Sequence, residues 1–202
     1  MNRLEDRHDA KALGVDLAYV QTGLALVSTD SIIELRNIEI RKRSLIKDFN
    51  AFMAQYEECG EIFGAAQVIF IEVPTTGYLG ALYKRRRTRI ETIERLTLAL
   101  LCFEIALQEF GYDGEVYYIG PGKLAQAYKG FVIDSDTGRQ LKALKLKGAK
   151  LVRRAWLCLV APNHDWMNPE ITDHESDAAF IGLAALQVWR MGRIGSIVSR
   201  QR

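Results

Sequence analysis

Three short runs dominated by apolar residues open the chain, at 12–18, 23–29 and 32–40. Tyr19 to Thr22 separate the first two, which predicts a hairpin with Gly23 supplying backbone freedom at its end. In the third run Ile32, Ile33, Leu35, Ile38 and Ile40 alternate imperfectly, as the last strand of a meander would. The period then changes. Leu45, Phe49, Phe52, Met53 and Tyr56 recur at helical spacing and predict a helix over 44–63 with Ser44 as its cap. Residues 67–73 (QVIFIEV) are continuous, rich in β-branched side chains and ended by Pro74, the strongest buried-strand signal in the chain. Beyond them the pattern predicts a helix over 87–110 stopped by Gly111, a strand over 116–119, a short helix over 123–128 and a loop over 130–138. Helices near 140–160 and 173–191 complete it. Early strands followed by alternating helices and single strands predict a mixed α/β sheet in one domain, 12–192, between a tail at 1–11 and a tail at 193–202.

Composition narrows this only a little. The chain of 202 residues is 49% hydrophobic and 26% charged, which suits a single soluble domain. Cys59, Cys102 and Cys158 lie far apart among apolar residues, so reduced thiols are expected in place of a zinc site. Met1 to Lys11 lacks an apolar core and no run of eighteen apolar residues occurs, so a cytoplasmic protein without membrane contact is expected. The net charge of +2 decides nothing, but the basic residues cluster at 41–43, 84–89 and 142–154.

Candidate chemistry lies in acids set within apolar strands. Asp16 interrupts Leu13-Gly14-Val15-Asp16-Leu17-Ala18, and Glu72 interrupts Val68-Ile69-Phe70-Ile71-Glu72-Val73. A carboxylate in a sheet is unfavourable unless it is paired, protonated, bound to a cation or at a wet strand end. A third acidic segment, Thr172-Asp173-His174-Glu175-Ser176-Asp177, opens the last helix. Capping and the helix dipole account for Asp173 and Glu175, but not for Asp177, which lies beyond the first turn beside Ala178 and Ala179. Those small residues would let the helix approach a sheet closely. His174, three residues earlier, shares a face with Asp177. Oxygen ligands from separate segments suit Mg²⁺, and two such ions about 3.5–4 Å apart serve phosphodiester hydrolysis. A neutral His at one corner would ligate metal or relay a proton.

The order of these segments resembles the RuvC-type Holliday junction resolvases of the ribonuclease H-like superfamily. Gly14-Val15-Asp16-Leu17-Ala18 with Thr22-Gly23-Leu24-Ala25 is similar to that family's opening hairpin, and Phe70-Ile71-Glu72 to its glutamate strand. His174-Glu175-Ser176-Asp177-Ala178-Ala179 resembles its C-terminal acidic helix, and Tyr118-Ile119-Gly120-Pro121-Gly122-Lys123 its strand and turn ahead of a basic segment. The resemblance covers about residues 13–190 and implies a five-stranded mixed sheet, its first three strands antiparallel, flanked by helices. It further implies a homodimer that nicks branched DNA with Mg²⁺ or Mn²⁺, two ions per site, held by Asp16, Glu72, His174 and Asp177. Asp173 and Glu175 stay open as alternatives to His174 for the fourth ligand. Pro74 to Gly80 and the loop 131–138 depart from the family pattern, as expected of a divergent, phage-like member.

The basic run Lys84, Arg85, Arg86, Arg87 and Arg89 follows the glutamate strand, where cations at a helix start oppose the dipole and suit a phosphate backbone better. Tyr78 and Tyr83 are candidates for stacking on an unpaired base. Lys142, Lys145, Lys147, Lys150, Arg153 and Arg154 form a second candidate DNA surface, and Lys123 is a further candidate contact. Leu96, Leu98, Leu100, Leu101, Phe103 and Leu107 make the long helix apolar on more than one face, either as a central core helix or as a dimer interface. The competing readings are a nuclease for RNA–DNA hybrids or flaps, and a binding module without catalysis. A sugar-kinase or actin-like fragment is discounted, since that fold needs a second domain.

Overall fold

The computed structural model describes residues 9–40, 44–73, 90–120, 123–124, 136–144 and 149–201. Strands β1 (Ala12–Leu17), β2 (Gln21–Val27) and β3 (Ile32–Glu39) form the antiparallel meander. β4 (Val68–Glu72) joins β1 in parallel, and β5 (Glu115–Ile119) joins β4 in parallel. The expected five strands are thus present as a mixed sheet with the first three antiparallel. A sixth, β6 (Val198–Gln201), pairs antiparallel with β5 and gives the order β3-β2-β1-β4-β5-β6. The segment expected as a C-terminal tail therefore ends on the sheet, after a single 3₁₀ turn at Ile194–Ser196.

Alternation along the strands sorts the side chains into two cores. Leu13, Val15 and Leu17 of β1, with Leu24, Leu26, Ile69 and Ile71, face helices α1 (Leu45–Glu57), α2 (Gly60–Ala65) and α3 (Ile90–Glu109). The helix expected over 44–63 breaks at 58–59. Its apolar face still runs through the break, because Phe52, Tyr56, Cys59, Ile62 and Phe63 are all buried. Gly60, just past the break, takes the Phe110 ring so closely that a Cβ there would lie 2.5 Å from Cε1. Tyr56, Phe63 and Phe103 meet edge-on or tilted, and a buried ion pair from Arg95 to Asp48 ties α3 to α1. Gly111, at φ +65, ends α3 as expected.

The opposite face of the sheet carries Ala12, Ala25, Val27, Val68, Phe70 and Tyr117. Here α5 (Ala149–Val160) and α6 (Asp173–Arg190) pack, with α4 (Asp136–Ala143) against α5. Two helices thus stand where one was expected over 140–160, and the first begins inside the expected loop. All three cysteines are free thiols, Cys59 and Cys102 buried and Cys158 half-buried. Among the described residues no helix is long and apolar enough to cross a membrane.

Candidate active site

Asp16 and Glu72 are direct partners in the parallel register of β1 and β4, at the carboxyl ends of both strands. Counting by twos from Ala12 and from Val68 puts both on the α6 face of the sheet. Neighbouring strands lie about 4.8 Å apart, so two carboxylates project side by side from the sheet. Open strand ends in α/β sheets are where ligands collect, because backbone and side chains there are no longer covered by the next helix.

Two glycines bring α6 down onto these acids. Across β1 and β2, Asp16 pairs with Gly23, and a Cβ on Gly23 would sit 2.0 Å from the His174 carbonyl oxygen. A Cβ on Gly14 would lie 2.1 Å from the Ala178 carbonyl oxygen and 2.4 Å from Gly182 N. Only a sheet without side chains at these two points lets the helix rest on its backbone. The helix contributes small residues in return: Ala178, Ala179, Gly182 and Ala185, all buried.

The amino end of α6 is held by a reciprocal cap. The Thr172 hydroxyl accepts from Glu175 N at 3.1 Å, while the Glu175 carboxylate accepts from Thr172 N at 2.8 Å. Asp173 is paired with Lys150 and Arg154, which together draw its pKa below the ordinary carboxylate value, the Lys150 hydrogen bond most of all. Glu175 and Asp173 therefore have structural partners of their own. His174 points the other way: its Nδ1 lies 2.6 Å from Asp16 Oδ2. That hydrogen bond raises the His174 pKa, against burial, which lowers it. With Nδ1 engaged, Nε2 is the ring nitrogen left for a second partner. One turn on, Asp177 Oδ1 accepts an ion pair from Arg153 of α5 at 2.8 Å.

Arg153 was hidden in the sequence among the basic residues of 142–154. It is half-buried, its guanidinium carbon 5.3 Å from the Phe180 ring centre. Burial works to lower its pKa, yet Asp177, and after it Glu72 and Asp16, outweigh this and raise it. This guanidinium thus responds to all three carboxylates. The sequence placed it only within a basic surface, and its contact with Asp177 came from the packing of α5 on α6.

Among the described residues no three His, Cys, Asp or Glu side chains form a ready-made metal cage, with Asp16 turned to His174 and Asp177 to Arg153. The donor chemistry nevertheless fits a hard divalent cation. Asp16 and Glu72 at the strand ends and His174 and Asp177 on α6 supply oxygen and nitrogen donors, and the Arg153 guanidinium is paired with Asp177. Of the expected DNA contacts, Lys123 is exposed with Nζ 3.4 Å from the Val198 carbonyl, and Lys150 holds Asp173. Tyr78, Tyr83, Lys84, Arg85, Arg86, Arg87, Arg89, Lys145 and Lys147 lie outside the described residues.

No family model matches this sequence, and no curated protein matches it. Solved structures do. Thermus thermophilus RuvC in complex with a Holliday junction substrate superposes with a TM-score of 0.66 at 18% identity, over 91% of this chain and 97% of that one. The same enzyme solved separately gives 0.60 at 16% identity, over 90% and 96%. The yeast mitochondrial Holliday junction resolvase Ydc2 gives 0.54 at 14% identity, over 95% and 89%. The chain has a mixed α/β fold of the ribonuclease H-like type. Within that class it has the fold of the RuvC-type resolvases.

Proposed function

We propose that this protein is a metal-dependent endonuclease that resolves four-way DNA junctions, acting as a homodimer. The observation that supports the reading is Asp16 and Glu72 in register at the open ends of β1 and β4, with His174 of α6 hydrogen-bonded to Asp16 and Asp177 one turn further along that helix. On this reading Asp16, Glu72 and Asp177 supply oxygen ligands, and His174, oriented by Asp16, supplies the fourth ligand or moves a proton through Nε2. A divalent cation such as Mg²⁺ or Mn²⁺ held by these residues would supply a more acidic water and charge stabilisation at the leaving oxygen. The chain itself does the positioning: the glycine-backed contact of α6 with β1 and β2 fixes the spacing between strand acids and helix acid. Cutting two opposed strands of a junction needs two such sites, which is the reason to propose a dimer. The junction-bound RuvC neighbour is in keeping with branched DNA as substrate.

A cleavage panel tests this. Four-way junctions, RNA–DNA hybrids, flaps and linear duplex are offered at equal concentration with Mg²⁺ or with chelator. The expected result is chelator-sensitive, paired nicks in the junction only. Equal cutting of linear duplex contradicts junction resolution, and preference for hybrids reassigns the substrate.

A further inference from the structure

Outside the four proposed ligands, the group nearest to the chemistry is Arg153. Its guanidinium engages Oδ1 of Asp177, one of the proposed ligand carboxylates, at 2.8 Å, and its pKa is raised by Asp177 and, after it, by Glu72 and Asp16. A plain structural bridge would join α5 to α6 away from the acids. This one ends among them, and it remains partly open, with 23% of the Arg153 side chain and 16% of the Asp177 side chain exposed. Its neighbour Arg154 shows the contrast. That side chain is spent on the Trp166 and Ile171 carbonyls and on Asp173, holding the loop before α6.

Resting on the nuclease reading above, we infer that Arg153 is the built-in counter-cation of this carboxylate cluster, a guanidinium that leaves Asp177 when a divalent cation is bound and then pairs with the substrate phosphodiester. Three carboxylates gathered at one strand end repel one another, and a tethered positive charge offsets that repulsion while the protein holds no metal. A guanidinium and a divalent cation compete for the charge of the same carboxylate. The phosphodiester has to approach these same acids to be hydrolysed, which brings it within side-chain reach of Arg153. Contact with the Phe180 ring restrains how far the freed side chain can move. Guanidinium forks onto phosphate oxygens as well as it does onto carboxylates, so the exchange leaves its charge paired throughout.

Mn²⁺ binding to the full chain without DNA is measured by calorimetry for wild type, Arg153→Met and Arg153→Lys, with cleavage followed separately at saturating Mn²⁺. The expected result for Arg153→Met is Mn²⁺ affinity about three- to tenfold tighter, together with kcat lowered about tenfold or more. Arg153→Lys keeps the charge and falls between. Unchanged or weaker Mn²⁺ affinity in a folded Arg153→Met overturns the inference, since a merely structural bridge would lower thermal stability without tightening metal. Should Arg153→Met fail to fold, ¹⁵N-arginine spectra of wild type serve in its place. The Arg153 Nε signal should move with the same midpoint as Mg²⁺ binding, and a signal unmoved by bound Mg²⁺ overturns the proposal. Wild type that binds Mn²⁺ and cuts junctions while Arg153→Met binds no tighter defeats this inference alone. Wild type that neither binds metal nor cuts defeats the nuclease reading with it.

Discussion

Two arginine–aspartate pairs lie on opposite faces of the same sheet, and they do different things. Arg95 and Asp48 are 8% and 1% exposed, and they lock α3 to α1 beside a cluster of aromatic rings. Arg153 and Asp177 are 23% and 16% exposed and stand at the open strand ends beside Asp16, Glu72 and His174. In the first pair burial makes separation prohibitive, because a lone charge would be left without water. In the second, solvent reaches both partners, so one can be exchanged for another ion. The same contact chemistry is a fastener where it is sealed and a replaceable counterion where it is not.

The sharpest break in that comparison is on the open face. Asp16→Asn should lower junction cleavage by roughly a thousandfold, in the range found when a preorganised electrostatic group is removed, while junction binding and thermal midpoint stay near wild type. Binding by gel shift and single-turnover cleavage check this, and retained cleavage would remove Asp16 from the site. On the sealed face the loss should be in stability. Arg95→Met removes the guanidinium from the buried Asp48 and should destabilise the fold by about 3–5 kcal/mol in urea unfolding, with kcat of the folded fraction little changed. A large fall in kcat there would show that the two faces are coupled.

Gly23→Ala is an intermediate case, because it inserts a methyl group where the His174 carbonyl now lies. It should destabilise by about 1–3 kcal/mol and lower cleavage more than an equally destabilising change under α3. The smallest effect is that of pH. The His174 pKa is raised above 6.5 in the folded state by its bond to Asp16. The imidazolium therefore adds stability that is fully present below the unfolded value and is lost as pH rises through the folded one. Metal-free protein should lose thermal midpoint as pH climbs above 6.5, and His174→Asn should flatten that slope. An unchanged slope in the variant would place the titration elsewhere.

Much of this was legible in the residues. Asp16 and Glu72 stood out because a charge inside an apolar strand demands a reason, and the register of β1 with β4 then put them on one side. Thr172-x-x-Glu175 is a readable capping box, and in the structure it occupies Glu175 and turns His174 toward the sheet. Other features were not local. The break between α1 and α2 leaves the apolar face continuous, so periodicity alone runs straight through it. β6 is four residues long and mostly polar, and it exists through its pairing with β5 about eighty positions earlier. Gly14 and Gly23 reveal their purpose only once α6 rests on them. Arg153 was one of several cations in its segment, and nothing but the packing of α5 on α6 singles it out.

The central claim is that Asp16, Glu72 and Asp177 hold a divalent cation together. The most direct measurement is the anomalous scattering of crystals soaked in Mn²⁺. The account predicts a peak bridging these three carboxylates, with the His174 ring beside it and Arg153 turned away from Asp177. A peak at Asp173 or Glu175, or none between Asp16 and Glu72 at saturating Mn²⁺, would contradict it.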